Sequence, residues 1–311
     1  MTPSRHPVDI AMQIEKPAKE AIRSLWVDIV KQIARKSPAS GKPWYLTLSG
    51  AGGFDIQRIV DEGLISLTDV GSISEKDKGK IVAVENRNTA VLELQKKFIG
   101  LKIKEVDFNS LIRTENPIRW PEGEDIEVCQ AHIINLDLNS TLEAKDQNGQ
   151  VIFPILEWVR KLCRIHSHAQ LLEWTLCLTL HGQVRWPPNV NLWLKTFLEE
   201  NFQREPIFNE NCTRFLGNQV MSEINQTDPN FSNLERNNQQ KLLMIIVPKI
   251  ISNLVHNEGW ETKTEYNLFY DGTNGAPMVT CIVKFCLREN ATATPDTIYR
   301  TALTIPSPNL T

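Results

Sequence analysis

The chain has 311 residues, 41% hydrophobic and 23% charged, which suits a soluble α/β protein of one large domain or two modest ones. A formal net charge of −3 argues against strong non-specific attraction to nucleic acid or an anionic membrane, though a local basic face remains compatible with it. No stretch approaches the roughly 20 apolar residues of a membrane span, and the N-terminal MTPSRHPVDIAMQIEKP lacks the apolar core of a signal peptide. A cytoplasmic protein without membrane attachment is expected. The six cysteines (Cys129, Cys163, Cys177, Cys212, Cys281 and Cys286) form no CxxC pair and no metal-ligand spacing. Reduced core thiols and no metal site are the expectation.

In chain order, residues 1–15 read as a leader. Lys16–Ala34 has Ala18, Ile22, Leu25, Trp26, Ile29, Val30 and Ile33 at helical spacing, which predicts an amphipathic helix with a solvated basic outer face. SPASGKP ends it. A strand is predicted at about 44–49 and a helix at about 54–65, followed by the polar connection SLTDVGSISEKDKGK. The continuous apolar run KIVAVE (80–85) predicts a strand buried on both faces, LKIKEVDF (101–108) a third strand and AHIINLDL (131–138) a fourth buried one, with a helix at 88–98 and a loop with two prolines after the third strand. Strands alternating with helices predict βαβ units and a parallel sheet.

Residues 153–170 predict a helix, and 171–183 contain a fifth strand ending in LTLHGQ. A double-proline turn leads into a helix from about Asn189, and 205–233 read as polar and irregular, a cap or an inserted loop. A long helix at 234–259, kinked or interrupted at Pro248, precedes two strands, 260–271 and 276–287, joined by GTNG. Asn-Gly between strand-like runs is a hairpin signal. The expected organisation is a leader and amphipathic helix (1–43), a Rossmann-like domain (44–288) with an insertion or cap at about 185–233, and a surface tail (289–311).

The segment WYLTLSGAGGFD runs a strand into a glycine-rich turn and a helix start. Such a turn brings a ligand close to main-chain N–H groups at the positive end of a helix. Its other reading is a tight strand-to-helix turn without a ligand. Acidic residues close the next strands: Glu85 in AVENRN, Asp107 in VDFNS and Asp137 in NLDLNS. Each has a plain alternative as a helix cap or a solvated strand end.

The order of elements, with its terminal hairpin, resembles the class I S-adenosylmethionine-dependent methyltransferase family from about residue 16 to about 288. SGAGGFD is most similar to the first motif of cytosine-5 DNA methyltransferases. The resemblance implies a doubly wound, mostly parallel seven-stranded sheet, with the last strand inserted antiparallel beside the fifth. It implies that Ser49, Gly50, Ala51, Gly52 and Gly53 cradle the methionine part of S-adenosylmethionine. Glu85 would accept the ribose hydroxyls, Asp107 would meet the adenine amino group, and Phe108 would cover a ring face. Asp137, Asn139 and His181, at the ends of the fourth and fifth strands, would orient the methyl acceptor or remove its proton.

Two features depart from the family pattern. The first strand carries Leu46, Thr47, Leu48 and Ser49 where many members have a carboxylate, and neither a DPPY-like tetrad nor a Pro-Cys pair follows the fourth strand. The expected function is therefore methyl transfer to an unidentified acceptor, with nucleic acid as one candidate. The alternative is a non-catalytic, methyltransferase-like binding subunit of a bacterial complex, as in phage defence, with a protein partner. A dinucleotide-dependent oxidoreductase fits least, because the turn lacks GxGxxG spacing. His166 and His168 are two apart on a helix and point to different faces, so no joint metal site is expected. Trp120, Trp186 and Trp193 have two readings, stacking on a base or filling a seam.

Overall fold

The computed structural model describes residues 17–36, 43–108, 129–138, 140–272 and 275–288. The leader, the loop at 109–128, Asn139 and the tail lie outside the described residues, and so does the expectation for Trp120. The helices are α1 (Pro17–Lys36), α2 (Phe54–Asp61), α3 (Asn88–Lys97), α4 (Pro154–His168), α5 (Pro188–Arg204), α6 (Pro206–Ile224) and α7 (Arg236–His256). The strands are β1 (Tyr45–Thr47), β2 (Ile81–Val84), β3 (Lys102–Lys104), β4 (Ile133–Asp137), β5 (Ala144–Lys145), β6 (Val151–Ile152), β7 (Glu173–His181), β8 (Trp260–Asp271) and β9 (Pro277–Leu287).

Seven strands form one sheet in the order β3-β2-β1-β4-β7-β9-β8, and β5 and β6 form a separate antiparallel pair. Counting only the sheet's members, the order is 3-2-1-4-5-7-6, with the last strand inserted between the fifth and sixth. This is the class I methyltransferase-like arrangement. β1 pairs in parallel with β2 and with β4, which sets Leu46 beside Val82 and Thr47 beside Asn135. β8 and β9 are antiparallel, with an irregularity between Thr264 and Tyr266.

By contacts the chain divides into two compact units: Met1–Asp137 with His168–Cys177 and Gly272–Gly275, and Leu138–Ser167 with Leu178–Asp271 and Ala276–Thr311. In the first unit β1 and β2 are buried along their whole length, as their uninterrupted apolar sequences require in a sheet covered on both faces. Ile22, Trp26 and Val30 of α1 recur at helical spacing and are all buried.

In the second unit α7 packs against β8, β9 and α6, and it runs unbroken through Pro248. Gln240 of α7 donates to the carbonyls of Tyr270 (3.3 Å) and Met278 (3.2 Å). Residues 206–224, expected to be irregular, are helical. Phe208, Cys212, Leu216, Val220 and Ile224 form a buried stripe at every fourth position, and the helix kinks at Gly217 (φ 78°, ψ 172°). The β5–β6 hairpin was not expected. Asp146 organises its turn by accepting the N–H groups of Asn148 (2.9 Å) and Gln150 (2.8 Å).

Candidate functional site

Gly50 and Gly53 have φ of 57° and 51°, in the left-handed region that side chains disfavour. Gly53 begins α2, and its N–H donates to the Gly50 carbonyl at 3.3 Å. A Cβ on Gly53 would lie 2.7 Å from Phe98 Cε2 and 2.8 Å from Leu94 Cδ2, and one on Gly52 would lie 2.5 Å from Phe54 Cε2. These two glycines answer to packing within the protein. Among the described residues, a Cβ on Gly50 would meet only the Arg87 guanidinium, at 3.9 Å. Gly50 therefore holds the turn's open side. Lys97, in the last turn of α3, donates to the Gly52 carbonyl at 2.9 Å. Ser49 Oγ stands 3.5 Å from the Gly50 carbonyl.

Beneath the turn lies a buried polar cluster that sequence reasoning missed. Asp55, in the first turn of α2, accepts from the Tyr45 hydroxyl (2.8 Å) and from Thr47 Oγ1 (2.6 Å). Asn135 Nδ2 donates to the Tyr45 hydroxyl at 2.7 Å. The carboxylate absent from β1 is thus supplied to its side chains by the following helix. Burial first, then the Asp55 charge, hold the Tyr45 phenol well above its ordinary range. Asn135 Oδ1 is buried and without a hydrogen-bond partner.

Glu85 closes β2 and is 9% exposed. Its Oε1 accepts the N–H groups of Asn86 (3.1 Å) and Arg87 (3.0 Å) and the Arg87 Nε (3.2 Å), while Oε2 accepts Arg87 Nη2 (3.3 Å). Because β1 and β2 are neighbours in parallel, the glycine turn and Glu85 lie at the same edge of the sheet. Asp107, just past β3, is exposed, and Phe108 is buried at 5% exposure.

Asp137, at the end of β4, is paired with Lys19 of α1 at 2.7 Å. The basic face of α1, expected to be solvated, is in part engaged. Besides Lys19, Arg23 is buried with its guanidinium 4.9 Å from the centre of the Phe54 ring, and Lys31 pairs with Glu62 at 2.9 Å. The helical period displayed these cations, but nothing in one sequence says which surface they meet.

In the second unit, His181 closes β7, and its backbone N–H donates to the Ser140 carbonyl at 2.8 Å. Burial, and then the charges of Arg185 and Arg236, hold its imidazole below the ordinary range. Trp186 is buried, edge-on to Phe231, and its indole N–H donates to Glu143 at 3.0 Å. It fills a seam. Trp193 is 47% exposed and stacks on Phe197 at 5.9 Å. His166 is fully buried, with Nδ1 2.8 Å from the Leu162 carbonyl.

Among the described residues there is no group of three or more His, Cys, Asp or Glu arranged to hold a metal ion, and no helix is long and apolar enough to cross a membrane. No protein-family model matches the chain, and no curated protein matches its sequence.

Proposed function

We propose that the protein is a methyltransferase that uses S-adenosylmethionine. The observation that supports this reading is the adjacency of two elements on neighbouring strands: the open glycine turn after β1 and the carboxylate of Glu85 closing β2. The donor set fits the cofactor. Main-chain groups of Ser49, Gly50 and Ala51 suit its amino-acid portion, and a carboxylate suits a vicinal diol, which offers two O–H donors. Asp107 is exposed, and a carboxylate suits an amine. When bound, the cofactor supplies an electrophilic methyl group. The protein's work is then to align an acceptor with that carbon. His181, whose imidazole is held below its ordinary range by burial and by the charges of Arg185 and Arg236, suits proton removal, and Asp137 and Asn139 suit acceptor orientation.

Calorimetry with S-adenosylmethionine and S-adenosylhomocysteine tests the reading. Binding of both, lost on Glu85→Ala, is expected. A folded protein that binds neither overturns it.

A second reading, a non-catalytic binding subunit of a bacterial complex such as one acting in phage defence, is favoured by a different observation. Two of the three strand-end carboxylates, Glu85 and Asp137, are already paired with the protein's own cations, Arg87 and Lys19. Recovery of a stable partner, with no transfer of labelled methyl to DNA, RNA or protein, supports that reading over the first.

A further inference from the structure

We infer that Arg87 is an internal competitor for the ribose position, a latch on Glu85 that sets the affinity of the cofactor site. The inference rests on the methyltransferase reading and concerns a residue to which that reading assigns nothing. A carboxylate offers about four lone-pair positions. In Glu85, Oε1 already receives three N–H groups and Oε2 receives the Arg87 Nη2. Two of these donors are backbone N–H groups of the Asn86–Arg87 turn, which hold the carboxylate in place whatever binds. The other two come from the guanidinium alone. A ribose diol presents two O–H donors, so it replaces the arginine one for one and leaves the backbone pair intact.

Geometry also gives the arginine its place at the ligand side of the turn. Among the described residues, its Nη2 is the one atom within 4 Å of the missing Cβ of Gly50, at 3.9 Å. The Arg87 side chain is 41% exposed against 8% for Glu85. The guanidinium is therefore the more solvent-accessible partner of the pair and the carboxylate the more deeply buried one. An ion pair this exposed on one side is modest in strength, so the latch tunes binding and does not abolish it.

Titration calorimetry of S-adenosylhomocysteine into the full chain tests this, using wild type, Arg87→Gln, Glu85→Gln and the double variant, each checked for folding by its thermal transition. The latch predicts that Arg87→Gln binds about two- to fivefold tighter than wild type. It also predicts that the same substitution has no effect in the Glu85→Gln background, because the coupling runs through that carboxylate. Binding by Arg87→Gln where wild type shows none supports the latch still more strongly. Equal or weaker binding by folded Arg87→Gln, or equal effects in both backgrounds, overturns the latch and leaves the methyltransferase reading standing. Absence of binding in all four folded proteins overturns both.

Discussion

The hydroxyl of Tyr45 donates to the carboxylate of Asp55 at 2.8 Å, tying the strand before the glycine turn to the helix after it. Thr47 and Asn135 complete the cluster, and all four residues are buried. A buried donor left without its acceptor costs its full desolvation penalty. Asp55→Ala strands two hydroxyls and is expected to lower stability by about 3–5 kcal/mol in urea unfolding. Tyr45→Phe removes one hydroxyl, which also accepts from Asn135, but leaves Asp55 its bond from Thr47, and should cost about 1–2 kcal/mol. If Asp55→Ala costs no more than Tyr45→Phe, the carboxylate is not the centre of the cluster.

Gly53→Ala is expected to destabilise the protein by about 2–4 kcal/mol, since it combines left-handed backbone strain with overpacking. The strain comes from φ of 51°, and the overpacking from Phe98 and Leu94, both under 3 Å from the new methyl. Gly50→Ala has the same backbone strain but open surroundings, so about 1–2 kcal/mol is expected. Thermal denaturation of the two variants side by side separates strain from packing.

Asp77 staples the polar connection between α2 and β2. Its Oδ2 accepts the Ser66 N–H (2.8 Å) and the Ser74 hydroxyl (2.9 Å), and its Oδ1 accepts Lys80 Nζ (2.6 Å). Burial pushes its carboxyl up, but these hydrogen bonds outweigh it and hold the group below the usual range. A depressed carboxyl contributes stability above its unfolded pKa and loses it as pH falls through the folded value. Asp77→Ala should cost about 2–3 kcal/mol at pH 7. The gap to wild type should narrow as unfolding is measured at progressively lower pH below 4.

Lys249 is fully buried in α7, with its ammonium 4.5 Å from the centre of the Phe208 ring. Burial pulls its pKa down to about 8, against smaller opposing effects of Cys212 and Glu205. Between about 8 and the ordinary 10.5 the unfolded chain holds a proton that the folded chain has released. Stability from this group therefore rises with pH across that window. Lys249→Met is expected to stabilise the protein by about 1–3 kcal/mol at pH 7 and to flatten the rise. Chemical denaturation at pH 7 and pH 10 reads both effects. A destabilised methionine variant would show the ammonium to be well compensated.

His181 carries the same pH consequence on the acid side. Its folded pKa is lowered, so the unfolded chain takes up the proton first and stability falls as pH drops below about 6.5. Imidazole chemical shifts followed by NMR should place its midpoint below that of a free histidine. Arg185→Gln and Arg236→Gln should each move it upward, since both guanidinium groups oppose the charged ring.

The strands were legible because burial on both faces leaves little choice of residue: IVAV, IINL and WTLCLTL read as strands on sight. The hairpin was legible from its Asn-Gly. The α6 helix was not, although Phe208, Cys212, Leu216, Val220 and Ile224 repeat every four residues. Asparagines, a threonine and Gly217 stand between them, and their weak helix propensity masked the stripe. Asp55 was passed over because the carboxylate was sought in the strand, whereas it reaches the strand from the next element. Lys19 and Arg87 raise the same difficulty. Pairing across elements is a tertiary fact, and a single sequence displays the charge without its destination.

The position of β9 has a consequence for synthesis. The seam between β7 and β8 is filled by the segment made after both of them. About 106 residues separate His181 from Leu287, and at ~5–20 residues per second they take roughly 5–20 s to emerge. Throughout that interval β7 has an open edge, and β8, once made, has no neighbour until β9 follows it, which are the conditions under which unpaired edges find partners on other chains. Slowed translation just before Pro277 would lengthen this vulnerable period without changing the finished protein.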